Sequence, residues 1–290
     1  MSNNSLDRPP AGSLLITGAA GFVGQEVARR AAAARFAPIW ATWHQNQPVV
    51  VDGVSCQRLD VTDDRAVRML LQQLRPAAVI HAAYRKSGLN AEAITTTGAG
   101  HVAQAAAAIG ARLVHISTDM VLDGEHPPYD ERAHPAPVHD YGRIKAAAEA
   151  LVHQEAPAAA IVRTSLVCRL APPDPVTHWI SESLRSREPI TLYTDEIRCP
   201  VWLDDLADAL LELAAGDFSG VLNVSGPQAL SRYDMGVRLA RRFGLDPGGI
   251  IPGLSSQSSV RRPRNLTLDT SLARQVLRTP LRSFDEGLAL

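Results

Sequence analysis

Long apolar runs are missing from this chain of 290 residues. No stretch approaches the roughly 18–20 consecutive apolar residues that a membrane-spanning helix needs. An excess of one charge is missing too: 29 Lys and Arg stand against 30 Asp and Glu, a formal net charge of -1. That balance offers no general attraction to nucleic acid or to an anionic membrane. Aromatics make up only 5% of the chain and interleave with no basic stripe, which excludes a nucleic-acid role. Cysteine is scarce. Cys56, Cys168 and Cys199 are far apart, odd in number and in no metal-ligand spacing, so no metal site is expected. They read as reduced, mostly buried thiols, and the expected location is cytoplasmic. Residues 1–12 lack the apolar stretch of a secretory leader and read as a disordered lead-in.

What is present supports a proper core: 46% of the residues are hydrophobic. Short apolar runs alternate with helical patterns. Ser13 to Thr17, Pro38 to Trp43, Ser55 to Leu59, Ala77 to Ile80, Arg112 to Ile116 and Ala160 to Arg163 read as strands. Helices are expected at Phe22 to Arg35, from Thr62-Asp63-Asp64 onward, at Thr97 to Ile109, and from Tyr141 to before Pro157, with Asp140 as N-cap. Such alternation means βαβ units, hence an α/β, Rossmann-like, doubly wound parallel sheet with helices on both faces. Residues 13–163 are expected to form the dinucleotide-binding domain. Residues 164–290, richer in Pro, Ser and Arg, are expected to form a smaller substrate-binding lobe interleaved with the end of the sheet. Its helices are expected at 177–187, 203–214 and 232–243.

Gly18-Ala-Ala-Gly21-Phe22-Val23-Gly24 lies directly between the first strand and the first helix. Gly18 allows a tight turn, Gly21 lets a pyrophosphate approach the backbone, and Gly24 lets the helix pack closely. The helix start adds free N–H groups and a positive dipole end. The second strand ends in Trp43-His44-Gln45, without the acid that would hold an NAD ribose. The expectation therefore tilts from NAD(H) toward NADP(H). His44 reads either as a partner for a 2′-phosphate or as a solvent-facing turn residue. Asp60-Val61, after the third strand, has two readings as well: an adenine contact, or a cap for the next helix. His81-Ala82-Ala83-Tyr84 follows the fourth strand. Its small residues let the chain run close to a cofactor, and His81 itself reads as structural.

Ser117-Thr118-Asp119 sits at the carboxyl end of the fifth strand, where open α/β sheets place ligands. Tyr141 and Lys145 are four residues apart on one helix face. A phenol of ordinary pKa about 10 is a poor acid or base at neutral pH, and a fixed ammonium beside it is expected to lower that value. Thr118, Tyr141 and Lys145 are thus the equipment for proton transfer in ketone–alcohol interconversion.

The glycine spacing, paired with Tyr-x-x-x-Lys more than a hundred residues later, resembles the extended short-chain dehydrogenase/reductases. Ser117 to Gly124, Pro128 to Glu131, Tyr141 to Lys145 with Glu149, Val162 to Ser165, Arg198 to Ala207, Leu222 to Pro227 and Arg262 to Asp269 resemble the dTDP-4-dehydrorhamnose reductase family more narrowly. That resemblance implies an NAD(P)H-dependent reductase of a nucleotide-linked 4-keto-6-deoxy sugar. In it Thr118 holds the carbonyl oxygen with Ser117 as understudy, Tyr141 donates the proton, and Lys145 binds the nicotinamide ribose. Thr118, Asp119, Met120 and Arg198 become candidate substrate contacts. Arg198 reads equally as a partner for the substrate's diphosphate and as half of a salt bridge. Met120, Leu122, Leu166 and Thr95 depart from the family pattern, three of them in the sugar pocket. Two rivals stand beside the reductase: an epimerase or dehydratase of the same branch, and a non-catalytic dinucleotide-binding protein resembling the regulatory subunit of methionine adenosyltransferase. Thr118-Asp119-Met120 lacks the Asp-Glu pair of dehydratases. The helices at 97–109 and from Tyr141 suit a homodimer through a four-helix bundle.

Overall fold

A computed structural model of the chain describes residues 12–34 and 36–290. The disordered lead-in expected for residues 1–12 falls, apart from Gly12, outside the described residues.

From β1 (Leu14–Thr17) the chain alternates as expected through α1 (Phe22–Ala33), β2 (Ile39–Trp43), β3 (Val54–Arg58), α2 (Asp64–Leu74) and β4 (Ala78–His81). It continues through α3 (Gly98–Ile109), β5 (Arg112–Thr118), α4 (Asp140–Glu155) and β6 (Ala160–Thr164). Later come α5 (Pro175–Arg185), α6 (Leu203–Ala215), β7 (Gly220–Val224) and α7 (Arg232–Arg242). Seven parallel strands lie in the order β7-β6-β5-β4-β1-β2-β3, so the winding reverses between β1 and β4. The crevice at such a reversal is where open α/β sheets take ligands.

Side-chain alternation divides the core in two. Val114 and Ile116 of β5 face the layer built with α1 and α6, alongside Val27, Leu206 and Leu210. Leu113 faces α2, α3 and α4, with Val67, Val102 and Val152. The chain beyond residue 164 returns to the sheet: α6 packs on α1, where Arg30 meets Asp208 at 2.6 Å and Asp204 at 3.0 Å, and β7 closes the edge beside β6. The remainder builds its own core around Ile180, Leu192, Leu239 and Phe284, with Trp202 and Phe284 stacked 5.5 Å apart. Short strands Val167–Cys168 and Val201–Trp202 pair parallel there.

Two helix starts differ from expectation. α4 is capped by His139, not Asp140: the His139 ring accepts from the Tyr141 N–H at 3.1 Å, and Asp140 becomes the first helical residue, paired with Arg143. An imidazole supplies the acceptor that the helix start needs, and the acid still sits favourably in the first turn. α5 begins at Pro175 because Asp174 takes the N–H groups of Val176 and Thr177. Among the described residues no helix is long and apolar enough to cross a membrane.

Candidate active site

Gly18 follows β1 at φ +72, a conformation in which a Cβ is strained. Added there, it would also lie 2.6 Å from the Ala83 backbone. The glycine turn and the Ala82-Ala83 strand end therefore need each other's smallness. Gly24 is buried in α1 behind the turn. The N-cap Gly21 offers no side chain, and no acid stands in the first turn, so the first N–H groups of α1 at Phe22 and Val23 keep their capacity for an outside acceptor. Beside them opens a cavity of about 240 Å³ lined by Gly18, Gly21, His44, Asp60, Val61, Ala82, Ala83 and Tyr84. Four strand ends thus contribute to one trough, and the donor set and shape fit a dinucleotide. Asp63, not Asp60, caps α2; Asp60 instead accepts from the N–H and hydroxyl of Thr62 and stays at the cavity wall. His44 faces Asp60 at 3.4 Å.

The catalytic candidates meet at the same edge. Thr118 ends β5 and opens a short 3-10 turn, accepting from the Met120 N–H at 3.2 Å. A Cβ on Gly142 would overlap the Met120 carbonyl, so only glycine after Tyr141 lets α4 come this close. The Tyr141 ring lies 6.1 Å from that of Tyr84, and the Lys145 ammonium sits 6.0 Å over Tyr84. Sequence reasoning places Tyr84 only along a cofactor; the fold turns its ring onto Tyr141.

The expected lowering of the phenol by Lys145 is overturned. Burial pushes Tyr141 well above its ordinary value, and Tyr84 and the Asp119 carboxylate add to the rise. Arg198 and a hydrogen bond with Thr118 pull the other way. The Lys145 ammonium donates to the Ile116 carbonyl at 2.5 Å, and burial brings it down to about 8 against the opposing pull of Glu149. Desolvation penalises the charged form of both groups and is the largest cause of each shift.

Two further expectations are corrected, for Ser117 and Asp119, and the open alternative for Arg198 is resolved. Ser117 is no understudy to Thr118 and does not face the cavity. It points the other way along β5, is 2% exposed, and donates to Glu149 at 2.5 Å. Asp119 and Arg198 do not present themselves to a substrate. They form a buried ion pair, Arg198 donating at 2.8 and 2.5 Å to an Asp119 that is 0% exposed and also takes Ser165 at 2.6 Å. A carboxylate this deep requires such partners. Of the two readings of Arg198, the salt bridge is the one seen. Met120 stands beside this pair, its sulfur 3.6 Å from the Arg198 guanidinium. His81 is structural as read: its ring bonds Thr17 at 2.7 Å, stacks on His115 at 5.4 Å, and is held near a pKa of about 3 by burial.

Glu149, which entered the sequence reading only as part of the family resemblance, has a role that was not read there. It takes Arg163 through three contacts, the closest at 2.8 Å, as well as Ser117. Tyr141, Lys145 and Glu149 repeat every four residues on one face of α4, which was the available signal.

The family model for the RmlD substrate binding domain matches residues 12–290. The chain belongs to this family. It is 31% identical over 290 residues to the dTDP-4-keto-6-deoxy-D-glucose reductase of Streptomyces niveus, covering 94% of each. It is 27% identical over 293 residues to Methionine adenosyltransferase 2 subunit beta of Mus musculus, covering 94% of this chain and 86% of that one. A dTDP-4-dehydrorhamnose reductase from Bacillus anthracis str. Ames, solved in complex with NADP, superposes with a TM-score of 0.80 at 25% identity, over 96% of this chain and 97% of that one. The resemblance to dTDP-4-dehydrorhamnose reductases and the Rossmann-like fold expected from the strand–helix alternation are borne out.

Replacing Arg163 with Met leaves the Glu149 carboxylate buried without its counter-ion. The expected cost is about 3–5 kcal/mol, read as a lower urea midpoint; an unchanged midpoint would mean the pair does not hold these elements together.

Proposed function

We propose that this chain is an NAD(P)H-dependent reductase of a nucleotide-linked 4-keto-6-deoxy sugar. The observation that carries the reading is the meeting of Thr118, Tyr141 and Lys145 at the edge of the glycine-lined trough, in a chain of this family. The Thr118 hydroxyl holds the carbonyl oxygen. Tyr141, kept protonated at neutral pH by burial, holds the proton that this oxygen takes up. Lys145 stands one turn further along α4 and holds the ribose beside it. The nicotinamide, when bound, supplies the hydride that carbon C4 receives, so that carbonyl, hydride and phenolic proton together make the alcohol. The Streptomyces niveus relative supports the substrate class.

The mouse relative supports a second reading, a non-catalytic dinucleotide-binding subunit. The two separate in one experiment: NADPH oxidation across a panel of dTDP-4-keto-6-deoxy sugars. Turnover with at least one sugar is expected. Tyr141→Phe should lower it by about two to four orders of magnitude while leaving dinucleotide binding intact. Binding without oxidation of any sugar would sink the reductase reading. Tightly bound NAD released on denaturation would favour an epimerase.

The cofactor reading deepens toward NADP(H). The β2 end carries no acid, and two arginines flank it: Arg58 donates to the His44 carbonyl at 3.1 Å, and Arg85 reaches the Gln45 side chain at 3.3 Å. A 2′-phosphate entering here meets two guanidinium groups, with the Asp60 carboxylate turned to His44 at 3.4 Å. The variant with both Arg58→Ala and Arg85→Ala should lose about tenfold in NADPH affinity, with NADH affinity held. Equal affinities for the two dinucleotides in the unaltered chain would refute this preference.

The same proposal includes a homodimer in which α3 and α4, already side by side, pair with their copies. Light scattering giving a monomer's mass at micromolar concentration would remove that part.

A further inference from the structure

Most arginines near the cores of this chain are matched to a carboxylate: Arg30 to Glu26 and Asp208, Arg163 to Glu149, Arg198 to Asp119, Arg282 to Asp205. Arg169, like Arg112 and Arg232, is in no such pair, and of these three it is the one that stands against the start of α1. It follows the short strand Val167–Cys168 of the second lobe, and its guanidinium carbon lies 4.7 Å over the ring of Phe22, the first residue of α1. Phe22 directly follows Gly21 of the trough. Arg169 is half-buried, and its posture is held from its own lobe: the main-chain N–H donates to Asp174 at 3.1 Å and Nε donates to the Pro172 carbonyl at 2.7 Å. Among the described residues, no carboxylate forms a salt bridge with it and no acceptor is taken by its two terminal nitrogens.

Two positive features therefore stand side by side, and among the described residues no carboxylate forms a salt bridge to Arg169. One is the uncapped, acid-free start of a twelve-residue helix. The other is an unmatched guanidinium stacked on that helix's first side chain, an arrangement that fixes its plane. Partial burial weakens the screening that would make such a juxtaposition harmless. Arginine's planar fork suits a ligand with several phosphate oxygens.

We infer that Arg169 is a diphosphate clamp, by which the second lobe reaches across to the glycine turn. Two compounds of the proposed reaction contain a diphosphate, the dinucleotide and the nucleotide sugar, and only in naming them does the inference rest on the reductase reading. Because Arg169 belongs to one lobe and the turn to the other, a diphosphate held by both ties the lobes together across the crevice.

The test uses the full chain and two probes, NADPH and dTDP, with Kd measured by titration calorimetry at low and high salt. Arg169→Met keeps an apolar stem over Phe22 and removes the charge; Arg169→Lys keeps the charge. The Met variant should raise Kd for one of the probes about tenfold, which names the diphosphate concerned. The Lys variant should recover most of the loss, and the loss should shrink as salt rises, neither of which a merely structural contact would produce. If the unaltered chain binds both probes and the Met and Lys variants bind them equally well, the clamp falls alone. If the unaltered chain binds neither, the reductase reading falls and the clamp with it.

Discussion

The Glu149 carboxylate is the polar anchor on which the geometry of the site depends. It lies between α4 and the sheet, taking Ser117 from β5 and Arg163 from β6 where water does not reach. An unmatched carboxylate in such a place is costly, so the three elements have one register that satisfies it. Thr118 is the next residue along β5 from Ser117 and points to the opposite face. Tyr141 lies eight residues before Glu149 on the same helix face, about 12 Å along the axis. The separation of hydroxyl and phenol thus follows from a bond that neither of them makes. Gly142 completes the arrangement by letting the helix start settle on the Met120 carbonyl.

A second buried pair works across the lobes. Asp119 follows Thr118, and Arg198 comes from a short strand of the second lobe. Their opposed charges both act on the Tyr141 phenol, the carboxylate raising its pKa and the guanidinium lowering it, while burial dominates. Burial raises the phenol's pKa, and it lowers the Lys145 ammonium to about 8. The acid–base character of the site is therefore a consequence of desolvation more than of any single neighbour.

The parts legible in advance are those written locally. The alternation of short apolar runs with helical patterns located all seven sheet strands but β7, whose Gly220 to Val224 run lay inside a stretch read mainly by resemblance. The glycine turn was legible because its spacing and its place between strand and helix meet a steric requirement that the Ala83 backbone imposes. The cap of α4 was misread because an imidazole can supply the acceptor as well as an aspartate, and only the backbone angles choose between neighbours. Ser117 was misread, and the two readings of Arg198 were left open, for a different reason. Both are polar residues of the right type near the right motif, but side-chain direction along a strand and pairing across 79 positions of sequence are not local properties.

By itself, then, the sequence determined the strand–turn–helix that can receive a pyrophosphate, the α/β class, and the Tyr–Lys spacing on one helix face, because each follows from short-range sterics and periodicity. The tertiary structure alone decided which charges are spent on one another and which stand open. Asp119 consumes Arg198 and Glu149 consumes Arg163, while Arg85 lines the trough, Arg58 bonds the His44 carbonyl beside it and Arg169 lies over Phe22. It also decided the directions in which the Tyr141 and Lys145 pKa values move, since burial is a property of the packed whole and is carried by no residue in isolation.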